Sequence, residues 1–277
     1  MKKIGILYHP LKEPAVKFAA RLKSFLKSKG LAAWTCSAWE CDAAIGKMDG
    51  TDLIVTVGGD GTILRAAQVV VHSGVPIVGI NLGNLGFMTE LSVSETEGEL
   101  GHLLAGEGWT DERALLETEV RSPGEKGVGR FHALNDVVLA RGAAVRVIQV
   151  DATIDRQPLT SYRADGVIVA TATGSTGYAY AAGGPILHPH AREMVLLPIM
   201  PHFSASYRLV LPASATVSLR LHDGPGGTLT IDGHTNLAVE SGTTVTVKLS
   251  KDRLRFLRIH PQTEFYSTLD KRLKGKQ

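Results

Sequence analysis

The first third of the chain alternates between short apolar runs and amphipathic runs, and this alternation constrains the fold more than any other feature. Residues 52–57, DLIVTV, and residues 75–81, VPIVGIN, are almost entirely apolar. Such runs are typical of strands covered on both faces of a parallel sheet. Residues 13–30, EPAVKFAARLKSFLKSKG, have apolar side chains at helical spacing and end at a glycine. Strands alternating with helices predict an α/β domain with a doubly wound, mostly parallel sheet.

Beyond about residue 110 the pattern changes to short strand-like runs separated by glycine, proline and aspartate. The runs DGVIVATAT, ATVSLRLHD and TTVTVKLS are examples. They predict a second domain dominated by β-structure, most simply a sandwich. Met194 and Met200 are predicted core residues, whereas QTEFYSTLDKRL near the end is predicted to be helical.

Composition bounds the class of protein. The chain has 277 residues, of which 44% are hydrophobic and 21% charged, with a net charge of +3, so a nucleic-acid partner is not expected. No apolar run reaches the roughly 20 residues of a membrane span, and MKKIGILYHP is expected to be a first strand and not a signal peptide. Cys36 and Cys41 lack the further ligands of a zinc site, which favours a reduced, cytoplasmic enzyme.

The segment Gly58-Gly59-Asp60-Gly61-Thr62 follows one apolar strand and precedes a helix. Glycines let a ligand approach the backbone closely, and a helix N-terminus favours phosphate. A carboxylate there could accept a proton from an attacking hydroxyl or hold a magnesium ion. Alternatively, Asp60 is a helix cap or turn residue. The candidate phosphate-binding residues are Gly58, Gly59, Gly61 and Thr62.

A second segment, YRADGVIVATATGSTGYAYAAGGPILHP, repeats this strand, glycine turn and helix arrangement. Helix capping alone would explain the presence of Ser175 or Thr176. It would not explain why Arg163 and Asp165 stand just before the strand. Tyr178 offers a flat face for a base or nicotinamide ring, although core tyrosines are common.

Asn135 and Asp136 are adjacent within a strand-like run, ALNDVVLARG. Side chains alternate along a strand, so the two cannot both face one core. Either the chain forms a bulge or turn there, or the pair reaches a ligand, because an amide can pair with an adenine edge and a carboxylate with ribose hydroxyls.

Together these segments resemble the NAD kinase family, which shows a Gly-Gly-Asp-Gly turn, an Asn-Glu pair and a Thr-Gly-Ser-Thr-Ala-Tyr segment ending in Gly-Gly-Pro, in this order. Residues 74–91, GVPIVGINLGNLGFMTEL, and 197–212, LPIMPHFSASYRLVLP, resemble further family segments. The resemblance therefore covers nearly the whole chain.

The resemblance implies phosphorylation of the adenosine ribose 2′-hydroxyl of NAD to give NADP, with ATP or polyphosphate as donor and a divalent metal, Mg²⁺, as cofactor. It implies that Asp60 is the catalytic aspartate. The residues it implies for NAD binding are Asp60, Gly61, Arg65, Phe87, Asn135, Asp136, Arg146, Arg163, Asp165, Thr176, Gly177, Tyr178, Ala179, Tyr180, Ala181 and His234.

The resemblance also implies an organisation: an α/β domain over residues 1–100, completed by residues 255–277, and a β-rich, sandwich-like dinucleotide-binding domain over 101–254. Family members form homodimers or homotetramers with the NAD site near a subunit interface. Three positions depart from the family pattern, with Asp136 for glutamate, Gly177 for alanine and Ala172 for proline.

Two alternatives remain at this stage. Lipid kinases of the diacylglycerol or sphingosine type share the Gly-Gly-Asp-Gly turn, but they carry a Gly-Asn-Asp segment where this chain has GINLGNLGF. A non-catalytic dinucleotide-binding regulator would bind NAD without forming NADP.

Overall fold

The chain divides into two compact units, residues 1–112 with 253–277 and residues 113–252. The computed structural model describes residues 1–83, 86–124, 129–142, 146–202, 206–222, 224, 226–262 and 264–274. Residues 84–85 and 203–205 of the two family-like segments 74–91 and 197–212 lie outside the described residues.

Strands and helices are labelled here in chain order. The first part of the chain forms nine elements: β1 (Lys3–Tyr8), α1 (Glu13–Ser28), β2 (Ala32–Ser37), α2 (Cys41–Ile45), β3 (Leu53–Val57), α3 (Asp60–Val70), β4 (Ile77–Asn81), β5 (Leu91–Ser92) and α4 (Thr96–Ala105). The middle of the chain is almost entirely strands: β6 (Trp109–Arg121), β7 (Gly129–Ala133), β8 (Asp136–Arg141), β9 (Ile148–Ile154), β10 (Gln157–Ala164), β11 (Gly166–Ala170), the short helix α5 (Tyr178–Ala181), β12 (Met194–Ile199), β13 (Leu209–Leu211), β14 (Thr216–Leu221), β15 (Gly227–Ile231) and β16 (Thr235–Val239). The chain ends with β17 (Thr244–Arg258) and α6 (Glu264–Lys274).

The first unit contains a parallel sheet. β1 pairs with β2 on one side and β3 on the other, β3 pairs with β4, and the end of β17 joins β4 at Phe256 and Ile77. Every residue of β3 and β4 is buried, as their apolar sequences predict. Because parallel strands point the same way, the carboxyl ends of β1, β3 and β4 lie together at one edge of the sheet, where open α/β sheets bind ligands.

The second unit is built from antiparallel strands. Six of them form one sheet in the order β13-β12-β11-β8-β15-β16. A second set of strands pairs in the order β10-β9-β14 and then the first part of β17. One apolar core takes side chains from both sets, including Val137, Val169 and Leu229 from the first and Val150 and Val217 from the second. The fold prediction, an α/β domain followed by a β-sandwich-like domain, is confirmed.

Met194 lies in this core, but the prediction for Met200 is wrong. The Met200 side chain is 70% exposed, and the backbone has φ 44° directly after β12 ends at Ile199. The chain turns there, which takes the side chain out of the alternating strand pattern.

Within the part of the chain described, no helix combines the length and the apolar character needed to cross a membrane.

Candidate active site

The Gly58–Thr62 turn connects the end of β3 to the start of α3. Gly59 is the helix N-cap and Asp60 is the first helical residue, so Asp60 is not the cap. A side chain at Gly58 would overlap the Thr62 side chain, which explains why glycine stands there. Gly61 is exposed in the first turn, and Thr62 is buried beneath it.

The Asp60 carboxylate is held by the segment that follows β4. The backbone N–H of Phe87 donates to Oδ2 at 2.9 Å and that of Met88 to Oδ1 at 3.0 Å. The Gly86 N–H donates in turn to Thr89 Oγ1 at 3.1 Å. Each carboxylate oxygen can accept more than one hydrogen bond, so the side chain is fixed in direction and keeps acceptor capacity for a substrate hydroxyl.

Phe87, a predicted NAD-binding residue, lies beside Asp60 through this backbone contact. Its ring is 8% exposed, so it packs within the unit. The Arg272 guanidinium of α6 lies 5.9 Å from the ring centroid and donates to the Phe87 carbonyl oxygen at 3.4 Å. The C-terminal helix thus helps hold the segment that orients Asp60.

Substituting Gly86 tests whether the position of the carboxylate matters. A Cβ at Gly86 would overlap Asp60 Oδ1 and lie 2.8 Å from Cγ, so Gly86→Ala must displace the carboxylate. The family resemblance implies that Asp60 is catalytic, and on that basis we expect kcat to fall by at least about tenfold, because displacing a reacting group by about 1 Å costs much of its effect. Steady-state kinetics measure this. Gly98→Ala, where the added methyl meets nothing within 4 Å, is the control and should keep wild-type kcat.

Arg65 lies on α3, one turn after Asp60, and its guanidinium stacks 4.2 Å from the centroid of the Trp39 ring. The His9 ring lies 4.5 Å from the same aromatic ring. Burial lowers the pKa of His9, and the nearby cations Lys12 and Arg65 lower it further. Lys12 and Arg65 therefore lie close enough to His9 to disfavour its charged form.

In the second unit, Asn135 and Asp136 stand at the start of β8, and Asp232 holds this strand start in place. The Asp232 carboxylate accepts hydrogen bonds from the backbone N–H groups of Leu134, Asn135 and Asp136 at 2.8, 2.7 and 3.2 Å. Asn135 Oδ1 is buried and has no hydrogen-bond partner among the described residues. The adjacent pair thus lies at a strand start and carries a buried amide oxygen that has no partner among the described residues.

Asp136 is 5% exposed. Burial raises the pKa of its carboxyl to about 7, and the neighbouring Asp232 carboxylate raises it as well. In the unfolded chain the same group ionises near 3.8. The folded state therefore holds a proton that the unfolded state has already lost, and this difference costs stability as the pH rises from about 4 to about 7.

Asp136→Asn should remove that cost. We expect the variant to exceed the wild type in free energy of unfolding by up to about 4 kcal/mol at pH 8, and by less at pH 5. Urea unfolding of the ligand-free protein at the two pH values measures the difference. Asp165→Asn controls for the loss of a carboxylate, because Asp165 is partly exposed and paired with Arg141 at 3.2 Å. A gain as large in that control would contradict the prediction.

The segment after β11 is held against Asn135 by backbone contacts. Thr171 Oγ1 donates to the Leu134 carbonyl at 2.6 Å, and the Thr171 N–H donates to the Asn135 carbonyl at 2.9 Å. A Cβ at Gly174 would overlap the Asn135 backbone, so this approach requires glycine. Thr176 Oγ1 donates to the Thr173 carbonyl at 3.2 Å.

Gly177 occupies the position where the family has alanine. A Cβ there would lie 3.6 Å from Asn135 Nδ2 and 3.9 Å from Asp136 Oδ2, with the Gly174 carbonyl at 3.2 Å. An alanine would thus contact the Asn135–Asp136 pair. Glycine leaves that space open.

Three predicted residues, Asn135, Asp136 and Tyr178, line one cavity of 390 Å³ in this unit, together with Asp232 and Gly233. Tyr178 is 48% exposed, so the alternative prediction that this ring lies in the core is wrong.

The other predicted residues of this region differ in exposure. Within α5, Ala179 is buried against the outer face of the six-stranded sheet, whereas Tyr180 and Ala181 are exposed. His234 follows Asp232 closely, with Nδ1 3.1 Å from the Asp232 carbonyl oxygen.

Other predicted residues lie apart from this cavity. Arg163 is exposed and lines a different cavity of 190 Å³ that also contains Gln149 and His222. Asp165 lies between β10 and β11 and pairs with Arg141, as described above. Arg146 is exposed and lies two residues before β9 begins at Ile148.

Sequence reasoning missed Asp232 and Gly86. Asp232 has φ 50°, which aspartate tolerates at turns, and "IDGH" reads as an ordinary strand-to-strand turn. Gly86 lies in a glycine-rich segment with no charged residue to draw attention. Neither role has a local signal, because Asp232 contacts the backbone of residues 134–136 and Gly86 leaves room for Asp60, and both partners lie far along the chain.

The glycine turn presents a fixed carboxylate at the carboxyl ends of parallel strands, which is the edge where open α/β proteins bind their ligands. The chain thus belongs to the class of α/β proteins that also carry a β-sandwich-like unit. Comparison with protein-family models identifies the family. Residues 38–108 match the ATP-NAD kinase N-terminal domain, and residues 134–259 match the ATP-NAD kinase C-terminal domain.

Relatives match over the full length. The chain is 48% identical to the NAD kinase of Dehalococcoides mccartyi (strain CBDB1), covering 99% of this chain and 96% of the relative. It is 37% identical to the NAD kinase of Chloroflexus aggregans, covering 99% of both. The chain belongs to the NAD kinase family, as predicted. These comparisons support neither a lipid kinase nor a non-catalytic regulator.

Solved structures agree on the fold. The NAD kinase from Archaeoglobus fulgidus in complex with ATP superposes with a TM-score of 0.77 at 25% identity, covering 99% of both chains. The yeast NADH kinase complexed with NADH gives a TM-score of 0.85 at 23% identity, covering 99% of this chain and 88% of that one. At that identity the yeast protein supports the fold alone.

Proposed function

We propose that this NAD kinase transfers the terminal phosphoryl group of ATP, or of polyphosphate, to the 2′-hydroxyl of the adenosine ribose of NAD. The bond between the terminal phosphorus and its bridging oxygen breaks, and a bond from phosphorus to the 2′-oxygen forms. The bridging oxygen leaves on ADP, or on a polyphosphate one unit shorter, with the bonding electrons. Asp60 accepts the 2′-hydroxyl proton, and the product is NADP.

The observation that carries this proposal is the fixed Asp60 carboxylate. It stands at the first residue of α3, between two glycines, with both oxygens oriented by the backbone N–H groups of Phe87 and Met88. A proton acceptor of this kind typically contributes about 10²–10⁴-fold to the rate. The ATP bound by the relative from A. fulgidus supports ATP as a donor.

A divalent cation fits this chemistry. Mg²⁺ is usually held by one or two carboxylates together with substrate phosphates, not by a cage of protein ligands. Among the described residues, no group of three or more His, Cys, Asp or Glu side chains could form such a cage. Asp60 is the residue that would hold the ion, whose charge would offset that of the phosphates.

We further propose that the β-rich unit is the dinucleotide-binding unit. The unpaired Asn135 amide oxygen and the cavity lined by Asn135, Asp136 and Tyr178 support this assignment. A flat aromatic ring and an amide are suited to a base, and a carboxyl group is suited to ribose hydroxyls. The remaining residues proposed for NAD binding are Asp60, Gly61, Arg65, Phe87, Arg146, Arg163, Asp165, Thr176, Gly177, Ala179, Tyr180, Ala181 and His234.

One assay tests the reaction. Purified protein is incubated with Mg²⁺, either ATP or polyphosphate, and either NAD or NADH, and the phosphorylated dinucleotide is measured. We expect NADP to form with at least one donor. No product with any pairing would contradict the proposed function, and ³¹P NMR of the product would identify the phosphorylated hydroxyl.

Assembly and location are also proposed. A homodimer or homotetramer, with the NAD site near a subunit interface, is supported by the exposed rings of Tyr178 and Tyr180, because interfaces are enriched in aromatic residues. Light scattering after size-exclusion chromatography tests the assembly. A protein that stays monomeric both with and without NAD would contradict it.

A cytoplasmic location is supported by the free thiols of Cys36 and Cys41.

A further inference from the structure

The C-terminal helix α6 brings a positive charge to the segment that holds the Asp60 carboxylate. Arg272 lies near the end of α6, and its Nη1 donates to the Phe87 carbonyl oxygen at 3.4 Å. The guanidinium also lies 5.9 Å from the centroid of the Phe87 ring. Because the hydrogen bond is long, much of the attraction is that of a full charge for a carbonyl dipole and an aromatic ring.

One peptide group separates Arg272 from Asp60. The Phe87 carbonyl and the Met88 N–H belong to the same trans peptide, in which they point in opposite directions. The carbonyl accepts from Arg272, while the N–H donates to Asp60 Oδ1 at 3.0 Å. The dipole of this peptide therefore lies between a cation at its oxygen end and a carboxylate at its hydrogen end. Each interaction strengthens the other, because a polarised carbonyl makes the N–H of its peptide a better donor.

The direction of that N–H matters because the Asp60 side chain can rotate. The terminal torsion of aspartate has a broad energy minimum, so the side chain alone does not fix where its oxygens point. The N–H groups of Phe87 and Met88 select one orientation. A proton acceptor must lie within about 2.6–3.2 Å of the hydroxyl it serves, so a small rotation of the 87–88 peptide would move Oδ1 out of reach.

Arg272 can be separated from the other arginine that contacts this segment. Arg258 donates to the Met88 carbonyl oxygen at 2.8 Å, but it is buried between two carboxylates, so replacing it also disturbs stability. Arg272 is partly exposed. Its effect on Asp60 can therefore be measured in a protein that still folds.

We propose that Arg272 is a positioning residue for phosphoryl transfer. It holds and polarises the 87–88 peptide, so that the Met88 N–H keeps Asp60 Oδ1 aimed at the hydroxyl whose proton Asp60 accepts. The inference rests on the proposed kinase function, and it gives α6 a part in catalysis as well as in packing. Arg272 acts through the peptide and not on a substrate.

Arg272→Met tests this role. Methionine keeps much of the side-chain volume but removes the charge and the donor. We expect kcat to fall by about tenfold or more, towards the roughly 10²-fold loss that a misplacement of about 1 Å can cause. The KM for NAD and the KM for ATP should change much less than kcat, because the change acts on the carboxylate and not on bound substrate. Steady-state kinetics measure all three constants.

Two further variants separate charge from packing. Arg272→Lys keeps a cation that can donate to the Phe87 carbonyl, so it should recover most of the lost kcat. Lys271→Met removes a charge from the neighbouring, exposed position of α6 and should keep wild-type kcat. A wild-type kcat in Arg272→Met, an equal fall in Lys271→Met, or no recovery in Arg272→Lys would each overturn the inference.

NMR separates this inference from the proposed function, because it needs no turnover. The chain has five methionines, so ¹⁵N-methionine labelling gives few amide signals, and the Met88 signal is the one lost in Met88→Leu. We expect Arg272→Met to move the Met88 amide proton upfield by more than any other methionine signal, since its hydrogen bond to Asp60 weakens. That shift supports the positioning role even where no NADP forms. An unchanged Met88 signal overturns the role of Arg272, and it leaves the kinase function standing where NADP forms.

Discussion

Asp60→Asn should abolish most turnover while the protein still folds and binds NAD. The amide cannot accept the 2′-hydroxyl proton, so we expect kcat to fall by about 10²–10⁴-fold. Steady-state kinetics at saturating NAD and ATP measure kcat, and calorimetric titration measures NAD binding. A kcat near the wild-type value would remove Asp60 from the chemistry.

The same substitution also disturbs structure, and a control must separate the two effects. In the wild type, Phe87 N–H and Met88 N–H each donate to one carboxylate oxygen. An asparagine replaces one of these acceptors by a donor, which loses a hydrogen bond and loosens the segment. Thr89→Val loosens the same segment, because Thr89 Oγ1 accepts from Gly86 N–H, but it leaves the carboxylate in place. We expect Thr89→Val to keep kcat within about tenfold of wild type.

Arg258→Met should cost about 3–5 kcal/mol in the free energy of unfolding, the usual result of breaking a buried ion pair. The Arg258 guanidinium is buried between two carboxylates, with Nη1 3.0 Å from Glu90 Oε2 and Nε 3.0 Å from Asp111 Oδ2. Methionine fills similar volume but leaves both carboxylates buried without their cation. Denaturant unfolding monitored by circular dichroism gives the free energy.

The control lies on the same strand. Arg255 Nε pairs with Glu112 Oε1 at 3.3 Å, but both side chains are about half exposed. Exposed pairs contribute about 0–1 kcal/mol, so Arg255→Met should change stability little. Equal losses in the two variants would show that burial does not set the strength of the Arg258 interaction.

Arg258 also connects stability to the site. Its Nη1 donates to the Met88 carbonyl oxygen at 2.8 Å, and the Met88 N–H donates to Asp60. Glu90 meanwhile accepts from the Ile259 and His260 N–H groups at 2.7 and 2.8 Å. The end of β17 therefore supports the segment that orients the carboxylate, and the first unit cannot be complete without the C-terminal part of the chain.

The regular elements could be predicted from the sequence because their signals are local. The almost entirely apolar runs over 52–57 and 75–81 contain β3 and β4, which are buried throughout, and the periodic run over 13–30 contains α1. The positions of the turns at Gly58–Thr62 and Asn135–Asp136 also followed from local glycine and polar patterns. The prediction for Met200 was wrong because β12, which is buried throughout, ends at Ile199 and the chain turns at Met200, where the side chain is exposed.

The sequence by itself determined the family, the order of strands and helices, and the residue types available for chemistry. Only the tertiary structure decided how those residues are held. Asp232 binds the Asn135 backbone although the two residues are 97 positions apart in the sequence. Arg258 binds Glu90, which lies 168 positions away. The raised pKa of Asp136 likewise depends on burial and on a carboxylate brought close by folding. Hydrogen bonds and charge interactions of this kind depend on distance in space, which a local sequence pattern does not encode.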